Sequence, residues 1–169
     1  PKQSKCLPQK ENQVSPCLRR ARHKSPLGKV EPSPMKHLPM SLWERSNKKK
    51  LAISTSTGRD NVILLLRSCL NENPEDVFSF ISTGDLVEKK KPSPDLYKLV
   101  LAEMNLMPEE CLAFEDSRIG LVSAKRANIK TAVNPSQYSM GDNFEEADYF
   151  LTSFLLEQFP KSLRRILSL

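Results

Sequence analysis

From Lys50 onward the chain alternates short β-branched or apolar runs with amphipathic stretches of helical period, and this alternation limits its fold more than any other feature. Leu51–Thr55 reads as a strand. Arg59–Leu70 reads as a helix with Val62, Leu65, Leu66 and Cys69 on one face, at spacings of three and four. Asn71 to Pro74 stops that helix, and Val77–Ile81 is a second strand. Ser93-Pro94-Asp95 opens the next helix with a capping residue, proline at the first helical position and an acid in the first turn. Its apolar face is Leu96, Leu99, Val100 and Met104, and the segment from Asn105 to Pro108 ends it. Cys111–Phe114 is a third strand and Ile119–Ala127 a helix with small residues at Gly120, Ser123, Ala124 and Ala127. Ile129–Val133 is a fourth strand and Tyr149–Leu151 a fifth. Strands separated by helices need right-handed crossovers and build a parallel sheet. In such a sheet ligands bind beyond the carboxyl ends of the strands.

The first 50 residues are a different polymer. They carry 13 Lys/Arg against Glu11, Glu31 and Glu44, a net +10, whereas the remaining 119 residues are net −4. Seven of the 13 prolines lie there, and no apolar period extends beyond a few residues. Low hydrophobicity, high charge and frequent proline leave too little burial to offset chain entropy. Residues 1–48 are therefore expected to be a disordered basic arm, with a short turn at Leu38–Trp43, and residues 49–169 the folded domain. Such an arm suits nucleic acid or an anionic surface, and equally a solvated tail, since no aromatic platform accompanies it. Its acid-poor, Ser-bearing composition is also that of an organelle transit segment, although seven prolines oppose an amphipathic helix. The longest uninterrupted aliphatic run, Val62 to Leu66, is five residues, against the roughly 20 that cross a bilayer. Cys6, Cys17, Cys69 and Cys111 show neither a CxxC pair nor zinc spacing, so they are read as reduced thiols of an intracellular, soluble protein, of cytoplasm or plastid.

A consistent set of polar groups follows the strands. The hydroxyls of Thr55 and Ser56, then helix-start N–H groups, follow the first. Glu88-Lys89-Lys90-Lys91-Pro92-Ser93-Pro94-Asp95 follows the second, and the carboxylates of Glu115 and Asp116, then Ser117, follow the third. Hydroxyls, helix-start amides and an ammonium make a phosphate site. A carboxylate pair beside it suits Mg²⁺, which is bound through one or two carboxylates plus phosphate oxygens. Each element alone has a plain structural reading, as turn chemistry, a solvated lysine face or a helix cap. All three in one order, each beyond a strand's carboxyl end, point to a site.

Those residues resemble the core domain of haloacid dehalogenase-like phosphohydrolases, in the branch of beta-phosphoglucomutase and xylulose-bisphosphate phosphatase. The likeness runs over Lys50–Ser153. Leu51-Ala52-Ile53-Ser54-Thr55-Ser56 is similar to the family's second motif, which implies that Thr55 binds the transferring phosphoryl group. Lys89-Lys90-Lys91-Pro92-Ser93-Pro94-Asp95 is similar to the third, which gives Lys91 the role of its lysine. Leu112-Ala113-Phe114-Glu115-Asp116-Ser117, with Gly120 and Ala124 after it, is similar to the fourth, which implies Asp116 as the Mg²⁺ ligand and Glu115 as its helper. Asn143-Phe144-Glu145-Glu146-Ala147-Asp148 resembles the phrase before the last strand. The implied fold is an α/β, Rossmann-like parallel sheet.

One departure bears on function. Members of that family begin with a strand ending in Asp-x-Asp-Gly-Thr, whose first Asp is the nucleophile and second the general acid–base. No Asp precedes Asp60 in this sequence, and the helical cap that selects the substrate has no counterpart. Covalent catalysis needs the carboxylate within bonding reach of phosphorus, and Asp116 is wanted on the metal. The missing strand is the central one, between those matching 51–55 and 111–115. Either its neighbours pair directly, or the sheet stays loose, or the chain is a piece of a longer or misassembled gene product, to which Pro1 in place of Met also points. The resemblance implies a Mg²⁺-dependent phosphatase or phosphomutase of small sugar phosphates for a full-length parent, with this chain inactive. The other readings are a non-catalytic phosphate-binding or regulatory protein, and a binder of nucleic acid or acidic partners through residues 1–48.

Overall fold

A computed structural model describes residues 49–70 and 72–167. The expected arm over residues 1–48, with its turn at Leu38–Trp43, lies outside the described residues. Five parallel-paired strands appear in chain order at β1 (Ala52–Ser54), β2 (Phe80–Ser82), β3 (Leu112–Glu115), β4 (Lys130–Val133) and β5 (Tyr149–Phe150) among the described residues. Between and after them lie α1 (Arg59–Cys69), α2 (Pro74–Val77), α3 (Asp95–Met104), α4 (Arg118–Arg126) and α5 (Lys161–Leu167). No described helix is long and apolar enough to cross a membrane.

The strands form two sheets. β1 pairs with β2, Ile53 opposite Ile81, and a separate sheet runs β3-β4-β5 with Glu115 opposite Val133. Of the outcomes expected for a sheet without its central strand, direct pairing of β1 with β3 does not occur among the described residues. Helices span the break: α3 packs on β1 and β2, α4 packs on β3 and β4, and α3 touches α4. Apolar packing divides in the same way. Val62, Leu66, Val77, Phe78 and Ile81 cluster on the first sheet, and Ala132, Leu151, Phe159 and Leu163 on the second. Tyr97 of α3 joins Ala113, Ala124, Ala127 and Ile129, which ties the first helix layer to the second sheet.

Three local expectations are corrected. The second strand is Phe80–Ser82 rather than Val77–Ile81. Pro74 at the start of α2 and the acids Glu75 and Asp76 in its first turn favour a helical turn, which buries Val77 beside Phe78. On α1, Val62 and Leu66 are buried but Leu65 is 40% exposed, because a two-stranded sheet offers the helix only a narrow face. The third helix starts one residue late, with Pro94 as its N-cap, and the Ser93 hydroxyl donates to the Asp95 carboxylate at 2.8 Å. Asn105, in the left-handed region at φ 50°, ends it as expected.

Candidate functional site

The carboxyl ends of β1 and β3 are joined by one ammonium. Lys91 lies in the loop between β2 and α3, after which the Lys91–Pro92 peptide bond is cis. Its Nζ donates to the Ser54 carbonyl oxygen at 2.9 Å and to Glu115 Oε1 at 2.5 Å. Ser54 precedes Thr55, and Glu115 precedes Asp116. The three segments singled out from sequence therefore meet, although the sheets that carry two of them do not pair.

Thr55 leaves β1 half-buried; its N–H donates to the Ser82 carbonyl at 3.0 Å and its hydroxyl accepts from the Thr57 N–H at 3.2 Å. Ser56 is half-buried, with its carbonyl so close to Gly84 that a Cβ there would overlap it. The Gly84 N–H donates to the Thr57 carbonyl at 2.9 Å, so the loop after β2 shapes the turn after β1. Behind that turn α1 begins at Arg59; Gly58 offers no capping side chain, and the Arg59 N–H donates to Asp85 Oδ1 at 3.2 Å.

Glu115 ends β3 and is 8% exposed, whereas Asp116, the next residue, is exposed. Glu115 Oε1 accepts from Lys91 Nζ and also from the Tyr97 hydroxyl. Lys91 Nζ stands 5.0 Å from the Tyr97 ring centroid, within cation–π range. Burial, then the negative charge and hydrogen bond of Glu115, then the charge of Asp116 push the Tyr97 phenol well above its ordinary value, so it stays a donor. A Cβ on Gly120 would overlap Glu115 Oε2, so the carboxylate lies flush on the first turn of α4. Ser117 caps that helix, accepting from the Gly120 N–H at 3.3 Å. Buried Ser123, one turn further along α4, donates to the Ser93 carbonyl at 2.6 Å, which holds the Lys91 loop against the helix.

Tyr97 was not among the residues picked from sequence. It sits beside Leu96, off the expected apolar face of α3, and the available signal was chemical: a tyrosine packed in a core needs a partner for its hydroxyl. From sequence Gly120 is a small helical residue that follows the fourth motif; its contact with Glu115 emerges only in the fold.

Mg²⁺, which the resemblance implies, requires hard oxygen donors around an octahedron. Among the described residues no group of three or more His, Cys, Asp or Glu side chains converges. Glu115 is committed to Lys91 and Tyr97, which leaves Asp116 as the exposed carboxylate at this rim. The described donor set does not by itself fit a resident Mg²⁺.

A family model for haloacid dehalogenase-like hydrolases matches residues 4–134, more than half of the chain. The chain belongs to that family. This haloacid dehalogenase-like chain is 45% identical over 100 residues to Protein CbbY of Rhodobacter capsulatus, covering 59% of itself and 44% of that protein. It is 41% identical over 86 residues to a phosphorylated carbohydrates phosphatase of Thermotoga maritima, covering 51% of itself and 38% of that protein. It thus spans under half the length of these two curated relatives. Among solved structures, CbbY from Rhodobacter sphaeroides in complex with phosphate shares 38% identity at a TM-score of 0.66, over 72% of this chain and 53% of that one. A mutant of the same protein has been solved in complex with xylulose-(1,5)bisphosphate. The haloacid dehalogenase-like core expected from sequence is the fold observed, as two parallel sheets bridged by helices.

Proposed function

We propose that this chain carries the phosphate-holding part of a sugar-phosphate phosphatase core, and that the 169 residues alone do not turn substrate over. The observation that carries this reading is the Lys91 ammonium fixed between the ends of β1 and β3. An ammonium has three donors, and two are committed, so one N–H remains for an anion. Thr55 and Ser56, with N–H groups at the start of α1, supply neutral donors to a phosphate oxygen beside it. Relatives that act on phosphorylated carbohydrates and bind xylulose-(1,5)bisphosphate support a small phosphorylated sugar as the ligand class. Mg²⁺ dependence enters only through the exposed Asp116, and no catalytic step is assigned to it. Turnover is not expected because no aspartate precedes Asp60 to act as the nucleophile of an Asp-x-Asp motif in this sequence.

Inorganic phosphate titrated into the 15N-labelled chain, with and without Mg²⁺, tests the binding half of this reading. The amides of residues 55–58 should shift with a Kd on the order of millimolar. Unmoved amides there would refute it. A panel of sugar phosphates and a chromogenic phosphate ester tests the other half; metal-dependent turnover lost in Asp116→Ala would refute the claim of inactivity. The +10 charge of the first 50 residues supports a second reading, an arm for nucleic acid or acidic partners. Nucleic-acid binding whose affinity falls steeply with salt would favour it, and binding absent at low salt would reject it.

A further inference from the structure

The fourth motif places two carboxylates side by side, but the fold treats them differently. Glu115 is 8% exposed, and Asp116 is exposed. Glu115 Oε1 already takes a charge-assisted bond from Lys91 at 2.5 Å and one from the Tyr97 hydroxyl. Its Oε2 lies where a side chain on Gly120 would be, so the surface of α4 closes that side. A divalent cation at such a carboxylate would have to displace Lys91 and find room for octahedral partners. Lys91, for its part, has no other acid in the described ion pairs, and its side chain is only 11% exposed. Take away the seat of Glu115 and the ammonium loses its fixed direction toward the rim.

We propose that Tyr97 and Gly120 are positioning residues that seat Glu115 as the counter-ion of Lys91, so that Glu115 holds the phosphate-binding ammonium. Tyr97 supplies the second hydrogen bond that keeps Oε1 in place, and its ring backs the ammonium at 5.0 Å from the centroid. Gly120 supplies the absence of a side chain. The phosphate part of this inference rests on the function proposed above; the seating of Lys91 does not.

The experiment uses the full chain and the variants Tyr97→Phe, Gly120→Ala and Glu115→Gln, with two readouts. Acylation of lysines followed by mass spectrometry reads the seating, with exposed Lys89 and Lys90 as internal controls. Lys91 should react about tenfold more slowly than those neighbours in the parent chain, and Tyr97→Phe and Gly120→Ala should each remove most of that protection, as loss of a bond to a charged group implies. Inorganic phosphate should bind several-fold more weakly in Tyr97→Phe.

Lys91 protection unchanged in Tyr97→Phe would overturn the seating, and so would equal loss of protection at Lys89, Lys90 and Lys91, which marks general unfolding. A parent chain that does not bind phosphate would reject the proposed function, while the acylation pattern would still decide the seating. If Gly120→Ala does not fold, Tyr97→Phe and Glu115→Gln carry the test.

Discussion

Replacing Lys91 by methionine keeps the length of the stem and removes the ammonium from a site that is 11% exposed on the lysine side and 8% on the glutamate side. Glu115 would then hold a buried negative charge with only the Tyr97 hydroxyl to oppose it. The Ser54 carbonyl would lose its partner as well. Removing one member of a buried pair costs about 3–5 kcal/mol, most of it the charge left behind. Against a total domain stability of about 5–15 kcal/mol, that is a large fraction. Glu115→Gln is milder, about 1–3 kcal/mol, because the amide oxygen still accepts from Lys91 and Tyr97. The double variant Lys91→Met with Glu115→Gln removes both charges, so it should be more stable than Lys91→Met alone by about 2 kcal/mol. Urea unfolding followed by far-ultraviolet circular dichroism at 25 °C measures all four corners, with equal m values as the check on two-state behaviour. A Lys91→Met cost under about 1 kcal/mol, or a double variant equal to the sum of the singles within about 0.5 kcal/mol, would refute the argument that these side chains form one buried unit.

Leu121→Ala removes a fully buried side chain packed with Val133 and Phe144, and should cost about 2–5 kcal/mol in the same urea assay. Gly84→Ala puts a methyl group into the Ser56 carbonyl and should cost about 1–3 kcal/mol, with its largest amide shifts at Ser56 and Thr57. For Asp148, burial alone would raise the carboxyl pKa, but the Lys125 ammonium at 2.8 Å and the Thr131 N–H outweigh it and hold the group below its ordinary value. Its contribution to stability is therefore present above the ordinary carboxylate range and lost as pH falls through the lowered value. The fall in Tm from about pH 5 to about pH 2 should be shallower in Asp148→Asn, and an unchanged slope would count against it.

Much of this fold is written locally. Periodicity located α1, α3 and α4, and the ends of α3 follow from Pro94 and Asn105. The short apolar runs located β1, β3, β4 and β5, because a strand signal and its flanking turn residues lie within a few positions of one another. β2 was displaced because Val77 and Phe78 suit a strand by propensity, yet Pro74 and two acids set a helical turn first. α5 was not anticipated; its fully buried Leu163 gains its place from Phe159 and Leu151, which reach it only in the folded chain.

By itself the sequence determined the alternation of strand and helix, the family, and which loops carry Thr55, Lys91 and Asp116, since these rest on neighbouring residues and on motifs that survive as strings. It also showed that no aspartate precedes Asp60. Only the tertiary structure decided that β1 and β3 stand in separate sheets, and that Glu115 faces Lys91 and Tyr97 while Asp116 faces solvent. Adjacent residues at a strand end point to opposite sides, and which side is closed depends on a helix packed across it. Lys91 and Glu115 are 24 residues apart, and Tyr97 and Glu115 are 18 apart. Contacts at that separation exist only after the crossovers have brought α3 and α4 together, and no local pattern encodes them.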